Sequence, residues 1–187
     1  YRDRDRYLAR SLQVTSRMEA LVGEILTISR MESGTGLRKE EVDLSRLVEE
    51  QLEQDRELLD QREMDLSLSL APGLVLRGDP SLLGRAVDNL LSNAARYCTP
   101  GGQVRIRLEQ SPRAPVFTIW NHAGPIPETE LPRLFEPFYR GDRSRDRTGS
   151  GMGLAIARKI FALNRLTIAA ENVEDGVQFT VQSELRN

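Results

Sequence analysis

Asp88-Asn89-Leu90-Leu91-Ser92-Asn93-Ala94-Ala95-Arg96-Tyr97 is the stretch on which the reading of this chain turns. Val87, Leu90, Leu91 and Ala94 recur at helical spacing and make one apolar stripe. Asn89 and Asn93 stand four residues apart, so their carboxamides leave the helix on the same side. Arg96 and Tyr97 follow within a turn. Two neutral amides, a cation and a phenol on one face suit phosphate oxygens and a hydrated Mg²⁺, which takes few protein ligands beside the substrate's phosphates. Read alone, the stretch is better taken as a partly polar surface helix with asparagine as a mild breaker.

It does not stand alone. Farther along comes Gly149-Ser150-Gly151-Met152-Gly153-Leu154-Ala155-Ile156-Ala157-Arg158-Lys159-Ile160, three alternating glycines opening into an amphipathic helical pattern. Glycine lets the backbone approach a ligand, and a helix start offers free N–H groups and a positive dipole end. Together these make a phosphate cradle; by itself the glycine cluster is equally a flexible hinge. There is no Gly-x-x-x-x-Gly-Lys-Ser/Thr, which excludes a P-loop. A dinucleotide fingerprint would need Gly-x-Gly-x-x-Gly straight after a strand, but Leu154 holds the place of the third glycine and a basic loop precedes.

These segments together resemble the ATP-binding catalytic domain of two-component sensor histidine kinases, within the wider ATPase superfamily of gyrase, Hsp90 and MutL. Asn89 to Tyr97 is similar to that family's N box, and Asn121-His122-Ala123-Gly124-Pro125-Ile126-Pro127 falls where the first glycine box belongs. Phe135-Glu136-Pro137-Phe138-Tyr139 matches the F box, and Gly149 to Leu154 the second glycine box. Four boxes in order and spacing are a far stronger signal than any one of them. At the other end, Leu8, Leu12, Thr15, Met18, Val22, Ile25 and Ser29 step at three and four residues, as in a bundle-facing stripe. In the resemblance this is the second helix of the dimerisation and phosphoacceptor hairpin. The expected organisation is therefore residues 1–36 as that partial hairpin and its hinge, and residues 37–187 as the catalytic domain. The phosphorylated histidine would lie on the first helix of the hairpin, upstream of this chain. The one histidine, His122, has no His-Glu or His-Asp context and is expected to be an exposed turn residue.

Composition bounds the rest. The 39% hydrophobic and 29% charged shares are those of a globular protein, and a net charge of −2 gives no case for nucleic acid or an anionic membrane as the main partner. One cysteine, Cys98, excludes an internal disulfide and fits a reducing cytoplasm; it is expected to be a small buried side chain. No long apolar run occurs, so a membrane anchor of the parent kinase would lie upstream, and this piece itself would make no membrane contact.

Between the boxes the pattern predicts a helix from Asp43-Leu44-Ser45 to about Gln61, capped by Asp43 or Ser45. Asp65 to Leu70 alternates as a strand, Ala71-Pro72-Gly73 turns, and Leu74 to Arg77 returns as a second strand. Gly78-Asp79-Pro80-Ser81 begins the N-box helix, and Thr99-Pro100-Gly101-Gly102 ends it. Val104–Glu109, Val116–Trp120, Thr167–Glu171 and Gln178–Gln182 read as strands, and Gly153–Leu163 as a helix. Helices on one face of a mixed, mostly antiparallel sheet make an α+β sandwich of the Bergerat ATP-binding type, preceded by a long N-terminal helix.

The resemblance implies the roles. Asn93 would be the main protein ligand to Mg²⁺, and Asn89 would contact phosphate or metal-bound water. Arg96 would pair with a phosphate and Tyr97 would line the ribose or phosphate edge. Asn121 holds the place of an aspartate that accepts the adenine amino hydrogen in relatives; some relatives, including sensors of the vancomycin-resistance type, use Asn-x-Gly there, and this chain departs from that too. A neutral acceptor in that place weakens adenine binding by about 1 kcal/mol. Ala123 stands where the first glycine is usual, and Gly124 would supply the turn from a shifted position. Ile126, Phe138, Gly149, Gly151, Met152, Gly153 and Leu154 would complete the nucleotide site, with Phe135 and Phe138 anchoring the start of the lid in the core. The arginine-rich segment 140–148 would be that lid, with Arg143 and Arg147 reaching the γ-phosphate. The reaction implied is transfer of the ATP γ-phosphoryl group to a histidine, then to an aspartate of a cognate response regulator, in a kinase that is a homodimer at full length. Two alternatives remain: another ATPase of the superfamily, and a degenerate nucleotide sensor or dimerisation scaffold that has lost catalysis through its altered first glycine box.

Overall fold

The computed structural model describes residues 38–60, 63–112, 114–141 and 150–183, with Thr15, Val22, Gly23, Leu26 and Ser29. Those five early residues are helical; the rest of the bundle-facing stripe, and the lid segment from Asp142 to Gly149, lie outside the described residues.

In chain order the elements are β1 (Glu40–Asp43), α1 (Leu44–Asp60), β2 (Asp65–Leu70), β3 (Val75–Gly78), α2 (Pro80–Tyr97), β4 (Gln103–Gln110) and β5 (Pro115–His122). A 3-10 turn at Leu131–Phe135 follows, then α3 (Gly153–Leu163), β6 (Leu166–Val173) and β7 (Gly176–Ser183). Five strands form one sheet in the order β2-β4-β5-β7-β6, parallel only between β2 and β4. β1 and β3 pair as a separate antiparallel ribbon.

Strand alternation decides which face is covered. Val104, Ile106 and Leu108 of β4, Phe117 and Ile119 of β5, and Val177, Phe179 and Val181 of β7 are buried. They share one core with Leu83, Val87, Leu90, Leu91 and Ala94 of α2 and with Ile156, Ala157, Ile160 and Phe161 of α3. The apolar stripe read from the sequence is thus the packing face of α2, which leaves Asn89, Asn93, Arg96 and Tyr97 half-buried beside it. Asp79 starts that helix: its carboxylate accepts from Leu82 N at 3.1 Å and from Arg38 N at 3.0 Å, with Pro80 in the first turn. Asp43 caps α1 by accepting from Ser45 N at 3.0 Å and Arg46 N at 3.2 Å, while Ser45 Oγ donates to Ala71 O instead.

The opposite face of the sheet carries a cross-strand row of Arg105, Trp120, Gln178 and Glu171. Trp120 is nevertheless buried there, because the Arg105 guanidinium lies 3.7 Å over its ring and its Nε1 donates to Val173 O at 2.9 Å. Arg105 also pairs with Glu174, and its Nε, which has no hydrogen-bond partner, belongs to the group lying on the indole. Gly176 makes room for this arrangement: a Cβ there would stand inside 3.0 Å of both the Trp120 ring and the Asn121 carbonyl oxygen.

Several expectations are corrected. The strand after the Pro72-Gly73 turn does not return along β2; it pairs with β1, a strand absent from the sequence reading, and β2 runs parallel to β4. A four-residue strand with only Val42 buried, β1 has too weak an alternation to be read. His122 is not in a turn: β5 continues to it, Thr99 Oγ1 lies 2.7 Å from its Nδ1, and Asp175 Oδ2 lies 3.3 Å from its Nε2. Phe135 is buried as expected, but Phe138 is 62% exposed, on a left-handed backbone (φ 64°). Cys98 is buried, as its neighbours predicted.

Candidate functional site

The sequence-chosen boxes meet at one end of the sandwich, through contacts the chain must satisfy with backbone and glycine. Asn89 on α2 faces the start of α3: a Cβ on Gly153 would stand 3.0 Å from Asn89 Oδ1, so a larger residue there would push the carboxamide aside. The start of α3 has no side-chain cap and no acidic residue in its first turn, and its leading amides have no acceptor within the helix. Ser150 Oγ accepts from Met152 N at 3.1 Å and shapes the entry to the helix. Met152 is buried in the core and Leu154 packs against it.

Gly151 joins the second glycine box to the F box. Its φ is +75°, and a Cβ there would come within 3.0–3.1 Å of Phe138 backbone carbons and Tyr139 O. Phe138 N donates back to Gly151 O at 3.0 Å. Both demands, a left-handed backbone and a close strand of chain, select glycine. The Phe138 side chain is largely open to solvent.

The end of α2 is stitched to the end of β5 by Thr99 N donating to His122 O at 2.9 Å, and Ala123 N donates to Asp175 O at 3.2 Å. Asn121 therefore sits where α2, β5 and the β6–β7 turn converge. It is 2% exposed and lies on the helix-facing side of the sheet, paired in register with Val104 and Val177. The loop that follows is fixed by a residue the sequence gave no reason to choose. Asn172 on β6 accepts from Ile126 N at 2.9 Å and donates to Ile126 O at 2.8 Å, an amide pair that mimics a strand bond. Its partner lies 46 positions away, so no local pattern points to it. Ile126 is half-buried on the core, while Gly124 is exposed in the loop.

Among the described residues, three buried side-chain polar atoms lack a hydrogen-bond partner: Asn89 Nδ2, Asn121 Nδ2 and Arg105 Nε. The arginine is stacked on Trp120, so the two carboxamides are the unexplained ones, and both belong to this end of the fold. The other buried polar side chains are used within the protein: Ser45 on Ala71 O, Asp79 as a cap, and Asn164 on Ile160 O. Arg143, Arg147 and Gly149 lie outside the described residues. A cavity of about 1420 Å³ opens elsewhere, lined by Leu44, Leu76, Phe117, Phe161 and Val181, and none of the sequence-chosen residues lines it. The orphaned amides and the glycine contacts carry the choice of site; cavity size alone does not.

Residues 78–187 match the family model described as histidine kinase-, DNA gyrase B-, and HSP90-like ATPase. The chain is 33% identical over 182 residues to the sensor protein VanSC of Enterococcus gallinarum, taking in 96% of this chain and 50% of that protein. The chain spans half or less of the length of the first curated relatives it matches. A solved mycobacterial sensor histidine kinase, MprB, superposes with a TM-score of 0.70 at 29% identity, over 77% of this chain and 95% of that one. The histidine kinase ThkA, solved with the response regulator TrrA, superposes with a TM-score of 0.72 at 27% identity, over 89% of this chain and 46% of that one. The matched span contains α2, β5, the 3-10 turn and α3, and this chain belongs to the histidine kinase-, gyrase B- and HSP90-like ATPases, as the catalytic domain of a two-component sensor histidine kinase.

Proposed function

We propose that this chain binds Mg²⁺-ATP in the space bounded by Asn89, Asn93, Asn121 and the start of α3, and presents the γ-phosphoryl group to a histidine supplied by a phosphoacceptor helix. The observation that supports the reading is the pair of buried, partnerless carboxamide nitrogens on Asn89 and Asn121; among the described residues the one other such side-chain atom, Arg105 Nε, belongs to the guanidinium lying on Trp120. An unmade buried hydrogen bond costs roughly 1–3 kcal/mol, which a ligand that completes it returns.

The donor set fits Mg²⁺. No cluster of three acidic, histidine or cysteine side chains exists among the described residues, so a site built wholly of protein ligands is absent there. Mg²⁺ retains waters and takes one or two protein oxygens plus phosphates; the half-buried Asn93 carboxamide on the Asn89 face supplies that kind of ligand. Bound Mg²⁺ would neutralise phosphate charge. The chain's own part is positional. Asn89 and the open amides of α3 hold the phosphates, the Gly153 gap admits them, and Asn121 reads the base edge. Arg96 and Tyr97 flank the ribose and phosphate edge; Arg143 and Arg147, outside the described residues, are the cations that the family resemblance assigns to the γ-phosphate. Positioning and electrostatics are what phosphoryl transfer requires of a protein. A response regulator is the onward acceptor in this reading, as ThkA's solution with TrrA supports.

Calorimetric titration with Mg²⁺-ATP tests this, with Asn93→Ala as the control. Saturable binding abolished by the substitution, followed by phosphoryl transfer to an added phosphoacceptor domain, is expected. A folded chain that binds no nucleotide at millimolar concentration would be a scaffold, and the reading would be wrong.

A further inference from the structure

We infer that Asn121 makes this site a reader of purine nucleoside triphosphates that does not separate a 6-amino from a 6-oxo base, so that inosine triphosphate binds nearly as well as ATP. The inference rests on the nucleotide-site reading above. Its grounds are the state of one side chain. Asn121 is 2% exposed, its Nδ2 has no partner, and its strand neighbours on either side are Val104 and Val177, which offer no donor or acceptor from their side chains. No described hydrogen bond fixes which way round the carboxamide stands, and in the absence of such a bond the two orientations are equivalent.

A carboxamide carries one acceptor oxygen and two donor hydrogens. Adenine presents a 6-amino donor beside the N1 acceptor; hypoxanthine presents an O6 acceptor beside an N1–H donor. Each edge is answered by the same carboxamide after a half-turn about its last side-chain bond. A carboxylate in this place only accepts, so it meets the adenine amino group well and faces O6 with like charge. The walls do not restore the discrimination. Ala123 and Ile126, which follow Asn121 in the chain and pack on the core, are apolar, and apolar side chains grip either purine face alike. The partner that would lock Asn121 in one orientation is missing, whereas Asn172, five residues before Val177, is locked by both of its amide bonds to Ile126.

The test is calorimetry on the 187-residue chain with Mg²⁺-ATP and Mg²⁺-inosine triphosphate, repeated on Asn121→Asp. Hypoxanthine differs from adenine at the 6-position and N1 alone, so no 2-amino group confuses the comparison. We expect the two affinities in the unsubstituted chain to lie within fivefold of each other. Asn121→Asp is expected to widen that ratio in favour of ATP by at least tenfold. Asn121→Ala, which removes both functions, should weaken both nucleotides by a similar factor and serves if the aspartate variant does not fold. A preference for ATP above fivefold in the unsubstituted chain, or a ratio indifferent to substitution at position 121, overturns the inference. If ATP binding is abolished by Asn93→Ala while position 121 proves indifferent, the nucleotide site stands and only the base reading fails. If neither nucleotide binds, both fall.

Discussion

Gly176→Ala is the most direct probe of how the sheet supports the site. The added Cβ would stand inside 3.0 Å of the Trp120 ring and of Asn121 O, about 1 Å closer than the roughly 3.5 Å at which carbon contacts are favourable. The Asn121 carbonyl belongs to a strand paired on both sides, so the tryptophan has to yield. Tilting it breaks the Nε1 bond to Val173 O, about 1 kcal/mol, and the Arg105 stack, about 0.5–1 kcal/mol. Overpacking of the surroundings adds about 1–3 kcal/mol. The expected loss is about 2.5–5 kcal/mol of unfolding free energy. Trp120 is the only tryptophan in the chain, so its fluorescence reports on this spot without interference. Urea unfolding followed in parallel by circular dichroism and by tryptophan emission measures both quantities. The reasoning predicts a lowered midpoint and red-shifted emission from the native state. A midpoint shift worth less than about 0.5 kcal/mol, with unchanged emission, would refute it.

Three further outcomes follow from the same contacts. Gly151→Ala places an L residue at φ +75° against Phe138 and Tyr139 backbone, so stability should fall by about 1–2 kcal/mol, with Gly151→Asn recovering part of it; equal melting temperatures for all three proteins would contradict this. Asn172→Ala removes two bonds to Ile126, about 1 kcal/mol each, and hydrogen exchange should show the Ile126 amide losing protection while the β4 amides keep theirs. Asp79→Ala uncaps α2 and frees Arg38 N, lowering stability by about 1–2 kcal/mol, which Asp79→Asn should largely restore in a thermal melt.

The elements that the sequence made legible are those whose information is local. The α2 stripe, the Asp79-Pro80 start, the Gly153–Leu163 helix and the alternation of β4, β5 and β7 repeat within a few residues, and the observed bounds differ from the expected ones by a residue or two at most of these ends. What failed was local information of the same kind used for a non-local question. The turn at Pro72-Gly73 suggested a hairpin, but a turn fixes a change of direction and not a partner. β3 found β1, and β2 found β4, because those pairings bury Val42 and complete the sheet edge. Phe138 misled for a related reason, since an aromatic residue beside a buried Phe135 looks like core until its left-handed backbone turns it outward.

At the site the division is sharper. The sequence by itself determined which residue types are present, two amides a helical turn apart and glycines where a helix begins, because chemistry and helical period are written residue by residue. Only the tertiary structure decided that Gly153 faces Asn89, that Asn172 clasps Ile126 and that Asn121 is buried between two valines without a partner. Those facts are distances between segments far apart in the chain, and they exist only once the shared apolar core has drawn the segments together.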